Sequence, residues 1–531
     1  MRKQMDTRIS MYLCKGLAAV LVWTVAAPAV GGDWPQWRYD AGHTAASPDA
    51  LPGELHLQWT RQYSPREPVW DDPLNRDMMP YDRIFEPVVA QGRMFLSFND
   101  ADKVVALDVR DGGVLWAFYA EGPVRFPPVV FEDSVLFTSD DGYLYCVGAA
   151  DGKLRWRFLG GPSERKVVGN RRLISSWPAR GGPVVADGTV YFAASIWPFM
   201  GTFIYALEAR TGQVRWRNDA TGDQYQKQPH AAPSFGGVAP QGQLAVAGEL
   251  LLVPGGRSLP AGFDRASGEL KFFSFGDKGQ GGSFVAADAT RAFVHTRVRG
   301  TMALSLPKGT VAKFPVNEPV LAGEVLYAAA GATTAKSVTT PPRLQAYDSK
   351  NQVLWHLDAD GTGDLIRAGN RLYAAGGGRL TAVDLPGQDG PARVAWTQSV
   401  EGEVCRLVAA ADRLFAVTLD GRVLAFGETR AEPALTRRSE PLPSGGQSVP
   451  EAARLLDASG KREGYALWFG VDDEELLAAV TASSQLHIVG VDPDAEKIDR
   501  LRRRLDQAGW YGRRIALRGL AAHLSVATVL R

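Results

Sequence analysis

LYCVGAADGKLRW, residues 144–156, combines an apolar strand, an Asp-Gly turn and a second strand that ends in Trp. The phrase returns with variations along most of the 531-residue chain. The aromatic residues that close its copies are Trp116, Trp156, Trp216, Phe272, Phe314, Trp355 and Trp396. They follow one another at intervals of 40, 60, 56, 42, 41 and 41 residues. A unit of this length is typical of a propeller blade of four short strands.

One copy of the repeat divides into four strands. The predicted strands are residues 127–131, 134–139, 142–147 and 154–158. In the last of them two arginines alternate with Leu154, Trp156 and Phe158, which is the period of a strand with one buried face. We expect the recurring Trp to pack between neighbouring sheets, because no sheet in a radial array buries both of its faces alone.

The blade count follows from the two ends of the repeat region. Seven closing aromatics are followed by three more strands, at residues 404–409, 413–417 and 422–426, with no aromatic strand behind them. The sequence Leu-His-Leu-Gln-Trp at residues 55–59 can supply the missing fourth strand. We therefore predict an all-β, eight-bladed propeller whose last sheet is completed by the N-terminal strand. Such closure removes the exposed edges that template aggregation.

Composition and the N-terminus indicate an exported β protein. The chain has 57 glycines, 33 prolines and a formal net charge of +1, so it is turn-rich and lacks a nucleic-acid-binding footprint. Residues 1–29 are typical of a signal peptide, with basic residues up to Lys15, an apolar run at 16–26 and small residues at 27–29. The alternative is a membrane anchor, but the run is shorter than the roughly 20 residues that span a bilayer. We expect a periplasmic or cell-envelope protein without an integral membrane span after cleavage.

The repeated Ala-Leu-Asp-x-x-x-Gly-x-x-x-Trp phrase resembles the repeats of pyrroloquinoline-quinone (PQQ) type propellers. That superfamily includes the quinoprotein alcohol dehydrogenases and the propeller lipoprotein of the outer-membrane barrel-assembly machinery. The resemblance covers residues 33–427, and the opening DWPQWR at residues 33–38 is similar to the start of large exported PQQ-repeat proteins. It implies the fold, but both enzymes and scaffolds belong to the superfamily, so the function stays open.

The quinoprotein dehydrogenases hold the quinone against a ring of two adjacent disulfide-bonded cysteines, beside a calcium ion held by carboxylate and amide oxygens. This chain has no adjacent cysteines. Cys146 and Cys405 lie in apolar strands of different blades, which predicts two buried free thiols. No spacing of Asp, Glu and Asn marks a calcium site, so we nominate no metal ligand and no catalytic residue.

The first long insertion is rich in basic residues. They are Arg165, Lys166, Arg171, Arg172 and Arg180, and Glu164 is the only acid among them. Such a cluster can bind an anionic ligand, PQQ included, through charge-assisted hydrogen bonds. The alternative interpretation is a solvated loop that packs Trp177 on the rim of the propeller.

The sequence changes character after Phe426. Residues 428–448 contain several prolines and a Gly-Gly pair and are predicted to be a linker. Residues 449–531 then alternate between helices and strands, which predicts a partial, Rossmann-like α/β unit with a parallel sheet. The predicted helices are residues 449–459, 476–480 and 495–508, and the predicted strands are residues 465–469, 486–491 and 514–517.

This last segment resembles the N-terminal part of a class I S-adenosylmethionine (SAM) dependent methyltransferase. The resemblance implies that Gly470 begins the turn that approaches the cofactor and that Asp492, 22 residues later, binds its ribose. Asp472 and Glu474 stand where the family has further glycines. The family's remaining strands are not found before Arg531, so we interpret residues 449–531 as a truncated methyltransferase-like segment that does not use SAM.

Three functions are consistent with these observations. The favoured one is a non-catalytic binding or scaffold protein whose rim loops dock an envelope protein or peptide. The second is a PQQ-dependent oxidoreductase with an atypical site. The third is a SAM-dependent methyltransferase in a longer parent chain.

Overall fold

The structure is a computed structural model. It describes residues 31–69, 81–170, 172–227, 232–256, 258–275, 280–294, 302–313, 317–330, 341–388, 390–437 and 448–519. The predicted signal peptide at 1–29, the closing aromatic Phe314 and the basic residue Arg171 lie outside the described residues.

Eight antiparallel sheets form the propeller, as the repeat predicts. The strands of each blade are given from the inner to the outer one. Blade 1 is Val88–Ala90, Arg93–Phe98, Lys103–Asp108 and Val114–Tyr119, and blade 2 is Val129–Phe131, Ser134–Thr138, Tyr143–Gly148 and Leu154–Leu159. Blade 3 is Gly181–Ala186, Thr189–Ala194, Phe203–Glu208 and Val214–Asn218, and blade 4 is Ala245–Ala247, Leu250–Val253, Ala261–Asp264 and Leu270–Phe272. Blade 5 is Val285–Ala287, Arg291–Val294, Met302–Ser305 and Thr310–Lys313. Blade 6 is Asn317–Ala322, Val325–Ala330, Arg343–Tyr347 and Val353–Leu357. Blade 7 is Asp364–Ala368, Arg371–Gly376, Arg379–Asp384 and Arg393–Ser399.

Blade 8 is built from both ends of the repeat region. Its strands Val404–Ala410, Arg413–Thr418 and Arg422–Gly427 are completed by His56–Gln62, which pairs antiparallel with Arg422–Gly427. The predicted closure is therefore confirmed. The predicted linker contains one further strand, Ala434–Arg437, which pairs parallel with His56–Gln62 and covers the outer edge of this blade.

At four junctions of the ring the recurring Trp joins one blade to the next, as expected. Trp116 Nε1 donates a hydrogen bond of 3.0 Å to the Ala149 carbonyl oxygen in blade 2. Its ring lies on Gly152, where a Cβ atom would stand 2.6 Å from the indole. The turn therefore requires glycine twice, for the ring and for its φ of +67°. The same arrangement joins Trp59 to Gly112, Trp156 to Gly212 and Trp216 to Gly268.

An N-terminal belt, residues 32–47, contacts all eight blades in order. One backbone N–H near the end of each inner strand donates to the belt, over 2.7–2.9 Å. The donors, from blade 1 to blade 8, are Val89, Val130, Val185, Val246, Ala287, Leu321, Arg367 and Ala411. Seven acceptors are belt carbonyls and the eighth is Gln36 Oε1, which accepts from Val185. The belt thus crosses one end of the central channel.

Two hairpins and a short helix lie in the connecting segments of blades 2 to 4. The first hairpin pairs Lys166–Gly169 with Arg172–Ser175, and the second pairs Gln224–Lys227 with Pro233–Gly236. A 3-10 helix spans Pro198–Met200. The remaining short strands are Ala46–Ser47, which joins blade 7, and Gly242–Gln243, which joins blade 3.

Residues 448–519 form a separate layer of helices and parallel strands. The sheet order is Glu463–Phe469, Gln485–Asp492, Ile515–Gly519, and the helices are α1 (Val449–Ser459), α2 (Glu474–Ala482) and α3 (Ala495–Gln507). The predicted order of helices and strands is observed in these residues. Within the described part of the chain, no helix is long and apolar enough to cross a membrane.

Candidate functional site

A cavity of about 200 Å³ lies on the propeller axis, at the end opposite to the belt hydrogen bonds. It is surrounded by the loops that lead into the inner strands of seven blades, and Trp37 of the belt contributes to its wall. The other lining residues are Tyr81, Arg83, Ile84, Glu86, Phe126, Pro127, Gln243, Ser283, Phe284, Glu318, Thr362, Gly363, Glu403, Cys405 and Arg406.

Arg406 is the centre of a buried ion-pair network in this cavity. Its Nε and Nη2 donate to the two oxygens of Glu86, at 2.6 and 3.0 Å. Its Nη1 donates to Asp364 Oδ1 at 3.2 Å. Trp37 Nε1 also donates to Glu86, at 3.0 Å. Every nitrogen of the Arg406 guanidinium is therefore engaged by an acid of the chain itself.

Arg38 continues the network beneath the cavity. Its Nη1 donates to Asp364 at 3.2 Å and its Nη2 to the Pro319 carbonyl oxygen at 2.9 Å. Glu318 lies 3.5 Å from Arg406 and 3.7 Å from Arg38, and its side chain is 34% exposed. Glu318 also has a positive φ of 31°, an uncommon backbone conformation for a residue with a side chain.

Burial is the largest influence on the pKa values of the titratable groups in this cavity. It raises the pKa of Glu86 and of Asp364 above the ordinary carboxyl value, although Arg406 acts in the opposite direction. The acids hold the pKa of Arg406 well above its ordinary value. Burial and the nearby Glu403 raise the pKa of Cys405 to about 12, so this thiol is protonated at neutral pH. Cys405 is half-buried, whereas Cys146 is fully buried, and both are free.

Sequence analysis missed this network. Glu86 is 320 residues from Arg406, and Asp364 is 326 residues from Arg38. No spacing in the sequence connects such partners. The one available signal is Arg38, which belongs to the DWPQWR opening.

Two arginines of the predicted basic cluster pair with buried acids of the chain. Arg180 donates to both oxygens of Asp140, each at 2.9 Å, and Arg172 Nε donates to Asp102 at 3.1 Å. Both arginines neutralise fully buried acids and do not face solvent. Lys166 Nζ donates to the Asp141 carbonyl oxygen at 3.0 Å. Arg165 is exposed, and anion binding by Arg165 and Lys166 stays a prediction.

The residues nominated for SAM are engaged within their own turn. Asp492 accepts from the Val471 N–H at 3.0 Å and from Lys497 Nζ at 2.7 Å. Lys497 also contacts Asp472 at 2.6 Å. Gly470 precedes this turn with a φ of +74°. That this segment, with Gly470 and Asp492, does not use SAM stays a prediction.

Four large aromatic side chains form a surface that we call the aromatic patch. They are Trp197, Phe199, Tyr225 and Phe235, with exposed fractions of 46%, 74%, 63% and 71%. Tyr225 and Phe235 face each other across the second hairpin, with ring centroids 5.0 Å apart. Strand Pro233–Gly236 packs near the 3-10 helix that carries Phe199.

A hydrogen bond from the first insertion supports the loop that carries part of the aromatic patch. Trp177, from the first insertion, donates from Nε1 to the Met200 carbonyl oxygen at 2.8 Å. The ring centroids of Trp197 and Phe199 lie 6.0 Å apart.

Within the described residues, no group of three or more His, Cys, Asp or Glu side chains is arranged to hold a metal ion.

Comparison with known proteins finds a family match over part of the propeller. The family model of the outer membrane protein assembly factor BamB matches residues 58–176 and 145–314. The serine/threonine-protein kinase AfsK of Streptomyces griseus is 31% identical over 138 residues, 25% of this chain. The match spans only 15% of that kinase.

Two solved quinohemoprotein alcohol dehydrogenases have a similar fold. The enzyme ADHIIG of Pseudomonas putida HK5 is 14% identical, with a TM-score of 0.50 over 80% of this chain and 85% of that chain. The enzyme of Comamonas testosteroni is also 14% identical, with a TM-score of 0.50 over 82% and 86%. These comparisons do not support the methyltransferase resemblance of residues 449–531. Within the described residues the chain forms an eight-bladed β-propeller, and residues 58–314 of it are similar to the family of the outer membrane protein assembly factor BamB.

Proposed function

We propose that this protein is an exported, non-catalytic binding protein whose aromatic patch docks a protein or peptide of the cell envelope. The observation that carries the proposal is the exposure of four large aromatic side chains on two adjoining insertions. Aromatic residues are enriched at protein interfaces, where they supply most of the binding free energy. Contiguous exposed apolar patches mark interaction sites on soluble proteins.

The axial network supports a non-catalytic role. Arg406 and Arg38 donate to acids and carbonyls of the chain itself, so their donors are satisfied within the ring. A catalytic site needs groups that strengthen their interactions in the transition state, and donors already engaged by their own acids are poorly placed for that.

A PQQ-dependent oxidoreductase with an atypical site is the alternative. The observation that favours it is the aromatic-walled cavity on the axis, in a fold shared with quinohemoprotein alcohol dehydrogenases. The residues do not fit an anionic quinone well. The donors of Arg406 are engaged, and the two free cysteines lie in different blades and cannot form the adjacent-cysteine ring.

Photo-crosslinking from the patch tests the docking proposal. A crosslinking amino acid at Phe199 or Phe235, in cells that produce the full chain, should give one discrete envelope adduct. The matched control is Leu354, which is 53% exposed on the outer strand of blade 6 and should give none. The adduct from Phe199 should disappear in Phe235→Ser. Equal adducts from Leu354, or an adduct unaffected by Phe235→Ser, would show that the patch does not dock a partner.

A dye-linked assay tests the alternative. The purified chain, incubated with PQQ and calcium, should show no alcohol-dependent dye reduction. Activity that depends on both additions, and that is retained in Phe199→Ser, would establish the oxidoreductase instead.

A further inference from the structure

The sheet of the C-terminal layer has one edge that no described strand covers. The sheet order makes Glu463–Phe469 an outermost strand with a partner on one side only, and we call it the edge strand. Its pairing with Gln485–Asp492 is continuous over all seven residues, without a register shift. The opposite edge, Ile515–Gly519, is buried. A regular, exposed edge presents unpaired N–H and C=O groups to any strand that fits it.

The outer strands of the propeller are protected in ways that the edge strand is not. In seven of the eight blades, the pairing of the outer strand contains a register shift. Blade 8 is also covered by Ala434–Arg437. Bulges, charged side chains and covering segments are the devices that keep sheet edges from pairing. The edge strand has the sequence EGYALWF, without Pro, Lys or Arg, so among the described strands it is the edge best suited to accept another strand.

The edge strand is anchored by one face and leaves aromatic side chains uncovered on the other. Side chains alternate between the two faces of a strand. Ala466 and Trp468 pack against the hydrophobic core. Tyr465, Leu467 and Phe469 lie on the opposite face, where Tyr465 is 53% and Phe469 is 52% exposed. A partner at this edge would therefore meet two large aromatic rings.

Backbone hydrogen bonds show which residues face the free edge. The Gly470 N–H donates to the Val491 carbonyl oxygen at 2.9 Å, and the Gln485 N–H donates to the Arg462 carbonyl oxygen at 2.6 Å. Successive residues of a strand direct their N–H and C=O groups to opposite edges, so the even-numbered residues between 462 and 470 face the neighbouring strand. The backbone groups that face outward are those of Tyr465, Leu467 and Phe469.

An antiparallel copy of the edge strand fits this edge. With Leu467 opposite itself across a two-fold axis, Tyr465 of each copy lies opposite Phe469 of the other. All three residues have outward-facing backbone groups, as the hydrogen-bonded pairs of an antiparallel ladder require. Aromatic pairs directly across two strands are stabilising. The two-fold axis repeats each contact, which makes the edge strand complementary to itself.

Charges at the two ends of the edge strand favour the same arrangement. Lys461 and Arg462 precede the strand, Asp472 and Asp473 follow it, and all four are exposed. The antiparallel register brings the basic pair of one copy towards the acidic pair of the other, whereas parallel pairing would bring like charges together. Two of these charges also have partners in their own chain, Arg462 with Asp457 and Asp472 with Lys497, so the attraction between exposed charges is a modest contribution.

We propose that two copies of this chain form a two-fold symmetric dimer through antiparallel pairing of their edge strands. The pairing joins the two three-stranded sheets into one. A contact built on one pair of strands belongs with the small interfaces, below about 1,200 Å², which are weak and reversible. This proposal does not depend on the aromatic patch, and failure of the photo-crosslinking experiment leaves it intact.

Sedimentation equilibrium of the full chain tests the dimer and its register. The parent should show a monomer–dimer equilibrium that depends on concentration. Tyr465→Lys combined with Phe469→Lys opposes like charges in the proposed register, whereas Tyr465→Lys combined with Phe469→Glu opposes unlike charges. Both variants lose the same two aromatic rings, so each is the control for the other. The Lys/Lys variant should dimerise at least about tenfold more weakly than the Lys/Glu variant.

Two results of this experiment would overturn the proposal. One is a parent chain that stays monomeric at every concentration at which it is soluble. The other is equal dimerisation of the two variants, because the edge strands would then not pair in the antiparallel register. Urea unfolding of dilute samples should give both variants the same stability, since residues 465 and 469 are more than half exposed, and this excludes misfolding as the cause of a lost dimer.

Disulfide crosslinking provides a second readout at the two-fold axis. Leu467→Cys places two thiols opposite each other, and the Cα atoms of a hydrogen-bonded antiparallel pair lie about 5.5 Å apart, within the range of a disulfide. Mild oxidation should give a covalent dimer that the parent does not form. The control Leu455→Cys, at a residue of α1 that is 45% exposed, should give none. Equal crosslinking at the two positions would contradict the proposed contact.

Amide hydrogen exchange distinguishes a second copy from other occupants of the edge. Protection of residues 463–470 should rise with protein concentration, and it should rise less in the Lys/Lys variant. Protection that is independent of concentration would show that another part of the same chain covers the edge, and it would overturn the proposal.

Discussion

Gly92 and Gly152 have nearly the same backbone conformation but different neighbours. Their φ angles are +71° and +67°. A Cβ atom on Gly92 would meet nothing within 4 Å, whereas one on Gly152 would stand 2.6 Å from the Trp116 ring. The pair therefore separates the conformational cost of a left-handed residue from the cost of displacing the Trp that joins two blades.

Replacing each glycine by Ala should measure these two costs. Gly92→Ala should lower the free energy of unfolding by about 1 kcal/mol, the cost of a left-handed Ala. Gly152→Ala should lose about 3 kcal/mol or more, because the Trp116 ring and its hydrogen bond to Ala149 must also shift. Urea unfolding of both variants gives the comparison. Equal losses would show that the Trp contact does not join the blades.

Removal of Arg406 should lower the stability of the propeller strongly. Arg406→Met leaves Glu86 and Asp364 buried without their main cation, and breaking a buried ion pair costs about 3–5 kcal/mol. Both carboxyls already have raised pKa values, so protonation stabilises the folded state as pH falls through them. The loss should be largest at pH 7 and smaller at pH 5, measured by urea unfolding. An identical loss at both values would contradict this account.

The blades could be predicted from the amino-acid sequence, whereas the N-terminal belt could not. Side-chain periodicity and Asp-Gly turns identify each blade, and the unpaired strands of blade 8 identify His56–Gln62 as its closing strand. The belt is held mainly by backbone carbonyls, which leave no pattern of side chains in the sequence. The axial network was hidden for a related reason, since its partners are brought together only when the ring closes. The aromatic patch gave no signal, because exposure depends on how two insertions pack.

In the N-terminal belt, His43 is a buried histidine whose protonation depends on its burial. Its ring lies 4.8 Å from that of Trp37, and Nδ1 lies 2.7 Å from the Val285 carbonyl oxygen. A carbonyl can only accept, so Nδ1 carries the proton. Nε2 is buried without a partner. Burial lowers the pKa of His43 to about 3, so the ring is neutral in the folded protein.

His43 should make the propeller sensitive to acid. Below an unfolded pKa of about 6.5 the unfolded chain binds a proton that the folded ring refuses until about pH 3. Stability is therefore full above pH 6.5 and falls by about 1.4 kcal/mol per unit below it. His43→Gln retains a donor for Val285 and should flatten the slope between pH 6 and 4. An unchanged slope relative to the parent would mean that His43 is not buried.

At the scale of the whole molecule, the C-terminal layer and the propeller share buried charges. Asp102 of blade 1 is fully buried and accepts from Arg172 of the first hairpin. From the C-terminal layer it accepts from the Tyr511 hydroxyl at 3.3 Å, and Arg518 lies 3.7 Å away. These residues come from three separate parts of the chain, so the contact fixes the layer against the propeller.

Three further contacts extend this interface. Arg502 of α3 donates to Glu121 at 2.6 Å, and the Tyr119 hydroxyl donates to Asp506 at 2.7 Å. Lys103 also pairs with Asp506. Buried ion pairs of this kind are costly to break because each separated charge is left in a low-dielectric environment. The layer is therefore expected to unfold together with the propeller and not as an independent domain.

Asp102→Asn should destabilise both parts of the molecule at once. It leaves the guanidiniums of Arg172 and Arg518 beside a neutral amide, at a cost of about 3–5 kcal/mol. Within the described residues all three α-helices lie in the C-terminal layer, so circular dichroism at 222 nm follows that layer while Trp fluorescence follows mainly the propeller. The two signals should coincide in the parent and move together in the variant, as expected for one cooperative unit.

The control Asp457→Asn, whose exposed carboxylate pairs with Arg462 inside the layer, should change stability by less than about 1 kcal/mol. Loss of the helical signal at lower urea than the fluorescence signal, in the parent chain, would show that the buried charges around Asp102 do not couple the two parts.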